Sequence, residues 1–589
     1  MITTQTGALH SLATLLRDDK ALMSLIGSPD GTVAVPDTAR SIAIAALAQL
    51  SGRRPVVVAC PTSTMAAQLA DDIKAFMPAG DVMLFPAWET LPFERVSPSV
   101  ETMGRRLEVL WRLQSEDRTP QIIVASMRAL LQQLGPDTAT NQPVIIRQGM
   151  SLDPDELMRT LVNGGYRRED LVEHRGEVAR RGAIIDVFPS TADAPIRIDL
   201  WGDEVDRLTN FSVHDQRSDN DLDEVAIFPA RELILNDAVR ERAAAMVGAE
   251  PWGREHWERL SEGALFDGME SWLPWLTESP TLLSDVLPRG SKMLLIEPRR
   301  MRDRAADLLA EEADLAKALA SSWARDAEHD FPRLYSPPDR LLSETRGSWN
   351  LIPVADGPDM PLMEASGWGA MGGSGDGIAE RMRTLLSQGY RVVVAADGEG
   401  SAQRLSEIFS NAGLQLDIYH ELTDGKAPNL ASKGGAIVVT SLHRGFSIPS
   451  AKVAVITEAD ITGRRRSHRQ PRPKKREGGT VFEDLKTGNY VVHYIHGVAK
   501  YEGMVKRTVG GIERDYLLLA YKGGDKLYVP SDQIDTVRHY VGGETPVLHR
   551  LGGSDFARSK SKVRSAVREI AQELVVLYQK RVSAQGHAF

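Results

Sequence analysis

Three short apolar runs, PVVVACP (55–61), DVMLFP (81–86) and QIIVAS (121–126), alternate with apolar helical text over residues 1–127. Runs with no polar interruption predict strands buried on both faces, as in a parallel sheet covered by helices. From about residue 128 the period changes. GAIIDVFP and PIRIDLWGDEVDRLTNFS alternate apolar with polar residues, which predicts an antiparallel sheet with one face in water over 128–220. Helical and α/β text resumes at about 221 and runs to roughly 345. A Gly- and Pro-rich loop, DGPDMPLMEASGWGAMGGSGDG (356–377), falls inside a further α/β unit, 346–463, whose strands are RVVVAAD, LDIYH, AIVVTS and KVAVITE.

Next comes RRRSHRQPRPKKR (464–476), eight of whose thirteen residues are Lys or Arg and two Pro, a flexible basic tether because no core can be built from it. Beyond it, over 481–551, glycine turns punctuate strands of Val, Tyr and Leu at the spacing of a small barrel. The last stretch, 552–589, carries apolar residues at three- and four-residue spacing and predicts a long amphipathic helix.

At 589 residues the chain is too long for one core. No apolar run approaches the ~18 residues of a membrane span, and the N-terminus has no signal-peptide pattern. The single cysteine, Cys60, lies in the first apolar run; it excludes an internal disulfide, fits a reducing cytoplasm and reads as a buried small hydrophobe. A net charge of −10 argues against a protein that coats nucleic acid generally, while leaving local basic patches free to do so.

The candidate chemistry begins at TVAVPDTARSIAIAAL (32–47), a strand, turn and apolar helix. Aligned on the phosphate-loop pattern G-x-x-x-x-G-K-[ST], it offers Ala34, Ala39, Arg40 and Ser41. A working loop needs its glycines so that backbone N–H groups can lie against phosphate. Here two Cβ atoms are added, Pro36 removes a donor and Asp37 puts negative charge where the triphosphate would lie. No intact G-K-[ST] occurs elsewhere. The expectation is a degenerate loop with no catalytic residue and no bound nucleotide, Arg40 and Ser41 keeping at most an anion at the helix N-terminus. No metal site is expected; His493 and His496 read as core or turn residues. FPAWETLPFERVSPSVETMGRR (85–106) reads as a packed connecting loop, and the arginines of GYRREDLVEHRGEVARRGAIIDVFP (165–189) suit either a solvated face or a protein-binding surface.

Together FPAWETLPFERVSP, GYRREDLVEHRGEVARRGAIIDVFP, TNFSVHDQRS, VITEADITG and GNYVVHYIHGVAKYEGM…DYLLLAYKGGDKLYVP resemble, in order and spacing, the bacterial transcription-repair coupling factors, the Mfd family. The resemblance covers essentially the whole chain. It implies a multidomain α/β and α+β protein: a UvrB-like, degenerate RecA-type domain (1–127 and 221–345) interrupted by a UvrA-docking domain (128–220). A small α/β domain (346–463), a basic linker (464–480), a Tudor-like RNA-polymerase-interaction domain of the CarD type (481–551) and a connecting helix (552–589) follow. The family couples stalled polymerase to nucleotide excision repair. It recognises the polymerase β subunit, recruits UvrA and displaces polymerase by ATP-driven translocation on double-stranded DNA. The ATP and Mg belong to a motor that would begin where SAQGHAF ends, so the chain is expected to be the amino-terminal, non-enzymatic, monomeric, cytoplasmic scaffold.

Carried onto matching positions, the resemblance implies UvrA contacts at Arg167, Arg181 and Phe188, although Phe188 suits the core as well. It implies polymerase contacts at Val498, Lys500, Tyr501 and Met504, expected to form an exposed edge for strand addition, with inward packing of Tyr501 and Met504 as the rival. Arg464, Arg465, Arg466, Lys474, Lys475 and Arg476 either form a solvated linker or touch DNA phosphates. Two competing functions remain open: an ATP-binding helicase-like enzyme and a CarD-like transcription regulator.

Overall fold

The computed structural model describes most residues between Gly7 and Leu551; residues 1–6, 321–330, 343–346, 369–374, 420–429, 431–433, 463–486, 531–536, 541–545 and 552–589, with some single or paired positions, fall outside that set. The basic tether and the terminal helix of the sequence reading therefore lie outside the described residues. The chain divides into two units, Met1–Arg469 and Gln470–Phe589, each described by itself.

Along the first unit the strands are β1 (Gly31–Ala34), β2 (Val56–Cys60), β3 (Val82–Phe85) and β4 (Ile122–Ser126). Next come β5 (Val144–Arg147), β6 (Arg167–Arg168), β7 (Glu177–Arg181), β8 (Ile184–Val187), β9 (Ile196–Trp201), β10 (Glu204–Phe211), β11 (Ser218–Asp221) and β12 (Glu224–Ile227). The chain then supplies β13 (Lys292–Ile296), β14 (Trp349–Ile352), β15 (Ser366–Gly367), β16 (Arg391–Ala396), β17 (Asp417–Tyr419), β18 (Gly434–Val439), β19 (Phe446–Ile448) and β20 (Val453–Thr457).

The uninterrupted apolar runs form a parallel sheet, ordered β1-β14-β13-β2-β4-β3. Val56–Cys60 and Ile122–Ser126 are buried at every position, as strands covered on both faces must be. The chain leaves this sheet after β4 and returns at β13, so two of its six strands arrive from far downstream. The flanking helices start where side chains accept orphan N–H groups: Asp19 from Leu22 N, Thr62 from Met65 N and Ser99 from Thr102 N.

Between departure and return lies the largely antiparallel unit, ordered β11-β10-β9-β8-β7-β6 with β6 parallel to β7, and β12 pairing β5 beside it. Its inward positions, among them Val178, Ile185, Val187, Ile198, Leu200, Val205 and Leu208, pack against Leu157, Met158 and Leu161 of helix Pro154–Asn163. A Cβ at Gly104 of helix Val100–Leu113 would collide with Ser190 of this unit, so only glycine permits that close approach. An aromatic helical segment follows, in which Trp252, Trp257, Trp272 and Trp275 share one cluster with Phe93 and Phe331.

The third sheet, ordered β15-β19-β20-β16-β18-β17, joins four parallel strands to an antiparallel pair. The helices at the start of the chain contact it as well as the first sheet. One core holds Val33, Val58 and Ile122 together with Val393, Phe446 and Ile448, and Phe76 lies 6.1 Å from Phe446.

The second unit is an antiparallel sheet of β21 (Tyr490–His493), β22 (Gly497–Val509), β23 (Ile512–Ala520), β24 (Lys526–Pro530) and β25 (Val537–His539), ordered β24-β23-β22-β21-β25. The multidomain α/β and α+β architecture expected from the sequence is present. No described helix is long and apolar enough to cross a membrane.

Candidate protein-docking surfaces

At the phosphate-loop relic, β1 runs through a short 3-10 turn, Asp37–Ala39, into helix Arg40–Ser51. Several N–H groups around the turn are already bonded: Ala34 N to Pro361 O, Val35 N to Ile352 O, Ala39 N to Pro36 O and Arg40 N to Asp37 O. Arg40 is buried, its Nη2 lying 2.8 Å from both Asp37 Oδ1 and Glu297 Oε1, while Arg300 holds the other Glu297 oxygen at 2.8 Å. Burial works against the charge of Glu297, but Arg300 and Arg40 outweigh it and keep the carboxyl below its usual value. The guanidinium thus neutralises the chain's own carboxylates. Ser41 is buried in the first helical turn. Beside them, burial pushes the Cys60 thiol up to about 12, and the residue serves as core.

Of residues 85–106, read from the sequence as a connecting loop, 86–99 form a packed connection, while Val100–Arg106 open the helix Val100–Leu113. Arg106, fully buried, forks onto Glu232 with Nε at 2.7 Å and Nη2 at 3.1 Å, while Nη1 donates to Pro86 O. Trp88 Nε1 donates to the same carboxylate at 2.9 Å. Ser97 and Arg231 close a parallel arrangement on buried Glu270. Nothing local in FPAWETLPFERVSP announces Glu232 or Glu270, which lie more than a hundred residues away.

In the antiparallel unit, strand alternation sorts residues into two faces. Val178 and Ile185 point to the core; Glu177, Ala179 and Arg181 of β7 point away, as do Ile184 and Asp186 of β8 and Arg197, Asp199 and Trp201 of β9. Arg167 reaches Glu177 on this outer face at 3.2 Å and is 43% exposed. Glu177 is itself fixed by the N–H groups of Glu173 and His174. Arg181 is 45% exposed and shares buried Asp186 with Arg197, whose Nε and Nη2 lie 2.8 and 3.1 Å from the two carboxylate oxygens. Phe188 follows β8 on the same side, half-buried against Val172, Ala179 and Phe211, with Arg175 5.4 Å from its ring centre. All three residues named from the sequence therefore belong to one face, two as exposed cations and one as a partly packed support. Adjacent Arg180 instead turns toward the helix and pairs with Asp155.

In the second unit the expected edge is displaced. Over Gly497–Lys500, one flank of β22 is taken by β21, and Tyr501 exchanges bonds with Gly488 and Asn489. On the opposite flank Val498 N donates to His549 Nδ1 at 2.9 Å and Val498 O accepts from His549 N. Val498 and Tyr501 are buried, whereas Lys500 is exposed. They are not the open edge that the sequence reading assigned, because β21 is in register with just this half of a long strand. From Gly503 onward the described pairings of β22 are all with β23, which leaves the other flank of Met504–Val509 without a strand among the described residues. Met504, 54% exposed, stands at the start of that stretch. His493 and His496 are buried with rings stacked 4.7 Å apart, and His496 N donates to His493 Nδ1. Among the described residues no group of three or more His, Cys, Asp or Glu is arranged to hold a metal ion.

Comparison with known proteins divides the chain along these surfaces. Residues 144–233 match the UvrB interaction domain, 385–461 the MFD D3 domain and 485–541 the CarD-like/TRCF RID domain. The transcription-repair-coupling factor of Mycobacterium bovis is 36% identical over 607 residues, covering 96% of this chain and 48% of the relative. Along nearly its whole length the chain is similar to transcription-repair-coupling factors. Those from Bacillus subtilis and Haemophilus influenzae are 31% and 29% identical, each over 94% of this chain. The chain spans about half the length of these curated relatives. Within the matched domains, the outer face of β7–β9 falls in the UvrB interaction match and the strandless stretch of β22 in the CarD-like/TRCF RID match.

Proposed function

We propose that this chain is the recruitment part of a transcription-coupled DNA repair factor, binding the RNA polymerase β subunit through the β21–β25 module and UvrA through the β6–β11 sheet. The carrying observation is that one chain holds both a UvrB interaction domain and a CarD-like/TRCF RID domain, within a likeness to coupling factors along 96% of its length. On the first surface, UvrA carboxylates reach Arg167 and Arg181, whose side chains are 43% and 45% exposed beside their internal partners Glu177 and Asp186. On the second, a strand of the β subunit pairs beside Met504–Val509, where backbone groups lack a neighbouring strand among the described residues. The domains are those of the sequence reading, except that β12 (Glu224–Ile227) packs with the docking unit and β14 (Trp349–Ile352) with the first sheet; the tether residues 464–476 act as a linker.

The same reading assigns no nucleotide, Mg or catalysis to this chain. Its support is the neutralised Arg40 and the spent N–H groups around it. ATP-driven translocation on DNA belongs to a motor carrying an intact G-K-[ST], a pattern that residues 1–589 lack. The setting is the bacterial cytoplasm and the working form a monomer.

The test is a binding assay of the chain against UvrA and against the polymerase β subunit in parallel. Saturable binding to both is expected; binding to neither removes the proposal. Arg167→Ala/Arg181→Ala is expected to weaken UvrA capture and leave polymerase binding unchanged.

A further inference from the structure

Trp201 is 82% exposed, the most exposed of the large apolar side chains among the described residues. It closes β9 at a tight hairpin, where Gly202 takes a positive φ of 63° and β10 begins at Glu204. Tryptophan is enriched where proteins dock on one another, so its place on this face bears on what the face binds. The pleat provides its setting. Trp201 stands two residues beyond Asp199, so it shares the outer face with Asp199, and register continues that row through Ile184 to Arg181 on one side and Arg207 on the other. From the strand spacing and rise, Trp201 and Arg181 lie on the order of 12 Å apart at their backbones. Both fit inside the ~800 Å² that one partner covers in an ordinary protein interface.

The two ends of this face differ. Toward Phe211 it is already covered. Val172 and half-buried Phe188 pack there, Arg197 lies 4.8 Å from the Phe211 ring centre, and Arg197 Nη1 donates to Gln216 O. Toward Trp201 it is open, with half-buried Ile184 between Arg181 at 45% and Arg207 at 51% exposure. Each arginine there already rests on a carboxylate of its own sheet, Asp186 or Asp221, with donors to spare. Trp201 faces Glu204 across the hairpin, and the two half-exposed guanidiniums stand one row further along the same face; an exposed indole with arginines close by is the residue chemistry of an interface hot spot.

We propose that Trp201 is the aromatic anchor of the face that carries Arg181, seating in an apolar pocket of the protein partner whose rim supplies carboxylates to Arg181 and Arg207. The inference rests on the reading of that partner as UvrA. The occupant is argued from continuity: the indole extends the same row of the same sheet face, within the segment matched by the UvrB interaction domain.

The experiment measures UvrA affinity for the whole chain and for Trp201→Ala, Trp201→Phe and Arg167→Ala/Arg181→Ala, with thermal unfolding of each. Trp201→Ala is expected to weaken binding about thirty-fold, the size of a hot-spot truncation, with an unchanged melting temperature. Trp201→Phe keeps most of the affinity. Undiminished binding by Trp201→Ala, beside a loss in the double arginine variant, overturns the anchor and leaves the UvrA reading standing. No UvrA binding by the unmodified chain removes both. Self-association of the unmodified chain in sedimentation, abolished by Trp201→Ala while UvrA affinity is unchanged, assigns the indole to a second copy and overturns the proposal.

Discussion

Glu232 accepts from Trp88 and Arg106 in a site where both charged side chains are fully buried. A buried pair is costly to assemble, but removing one partner leaves the other charge uncompensated, typically a loss of ~3–5 kcal/mol. Glu232→Gln should therefore lower the unfolding free energy by that order, read as a lower urea midpoint. Glu312 acts in the opposite sense. Its buried carboxyl accepts from Leu334 N and Tyr335 N, yet burial dominates and pushes it up to about 7. The folded state thus holds this proton more tightly than the unfolded chain. The stability that Glu312 contributes is complete below the ordinary carboxylate value and is lost as pH rises through about 7. Glu312→Gln should gain on the unmodified chain between pH 5 and pH 8 in unfolding free energy; parallel pH curves would contradict this.

Elements were more legible than their neighbours. Apolar runs predicted β2, β3 and β4, because a strand covered on both faces leaves no polar position. Alternation predicted the antiparallel unit for the complementary reason. What the residue pattern did not carry was which flank of a strand stays open. In β22 the register with β21 ends at Lys500 and the pairing with β23 runs from Lys500 to Val509, so among the described residues the later part of the strand has a neighbouring strand on one flank only. The four polymerase candidates accordingly separate. Tyr501→Ala should reduce module stability by ~3 kcal/mol as a buried aromatic truncation, read by thermal unfolding. Met504→Arg should leave folding intact and weaken binding to the β subunit at least tenfold, since its side chain is exposed beside the strandless flank. Equal binding by Met504→Arg would move the contact elsewhere.

At the scale of the whole chain, the parallel first sheet and the third sheet share a helical layer, tied by His443 N and Nδ1 on Asp72 and by Leu430 N on Ser11 Oγ. The phosphate-loop relic sits in the first of these sheets, its cation spent on Asp37 and Glu297. Titration of Mg-ATP into the chain should give no binding at millimolar nucleotide; tight binding with turnover would restore the enzyme reading. The sequence by itself determined the strand types, the loss of glycine and lysine from the phosphate loop and the likeness to coupling factors, because these depend on local composition and order. Only the tertiary structure decided that Arg40 is neutralised by Glu297, that Arg167, Arg181 and Trp201 share one face, and that the open flank of β22 begins after Tyr501. Each of those outcomes depends on register or on a partner distant in the chain, and local side-chain pattern encodes neither.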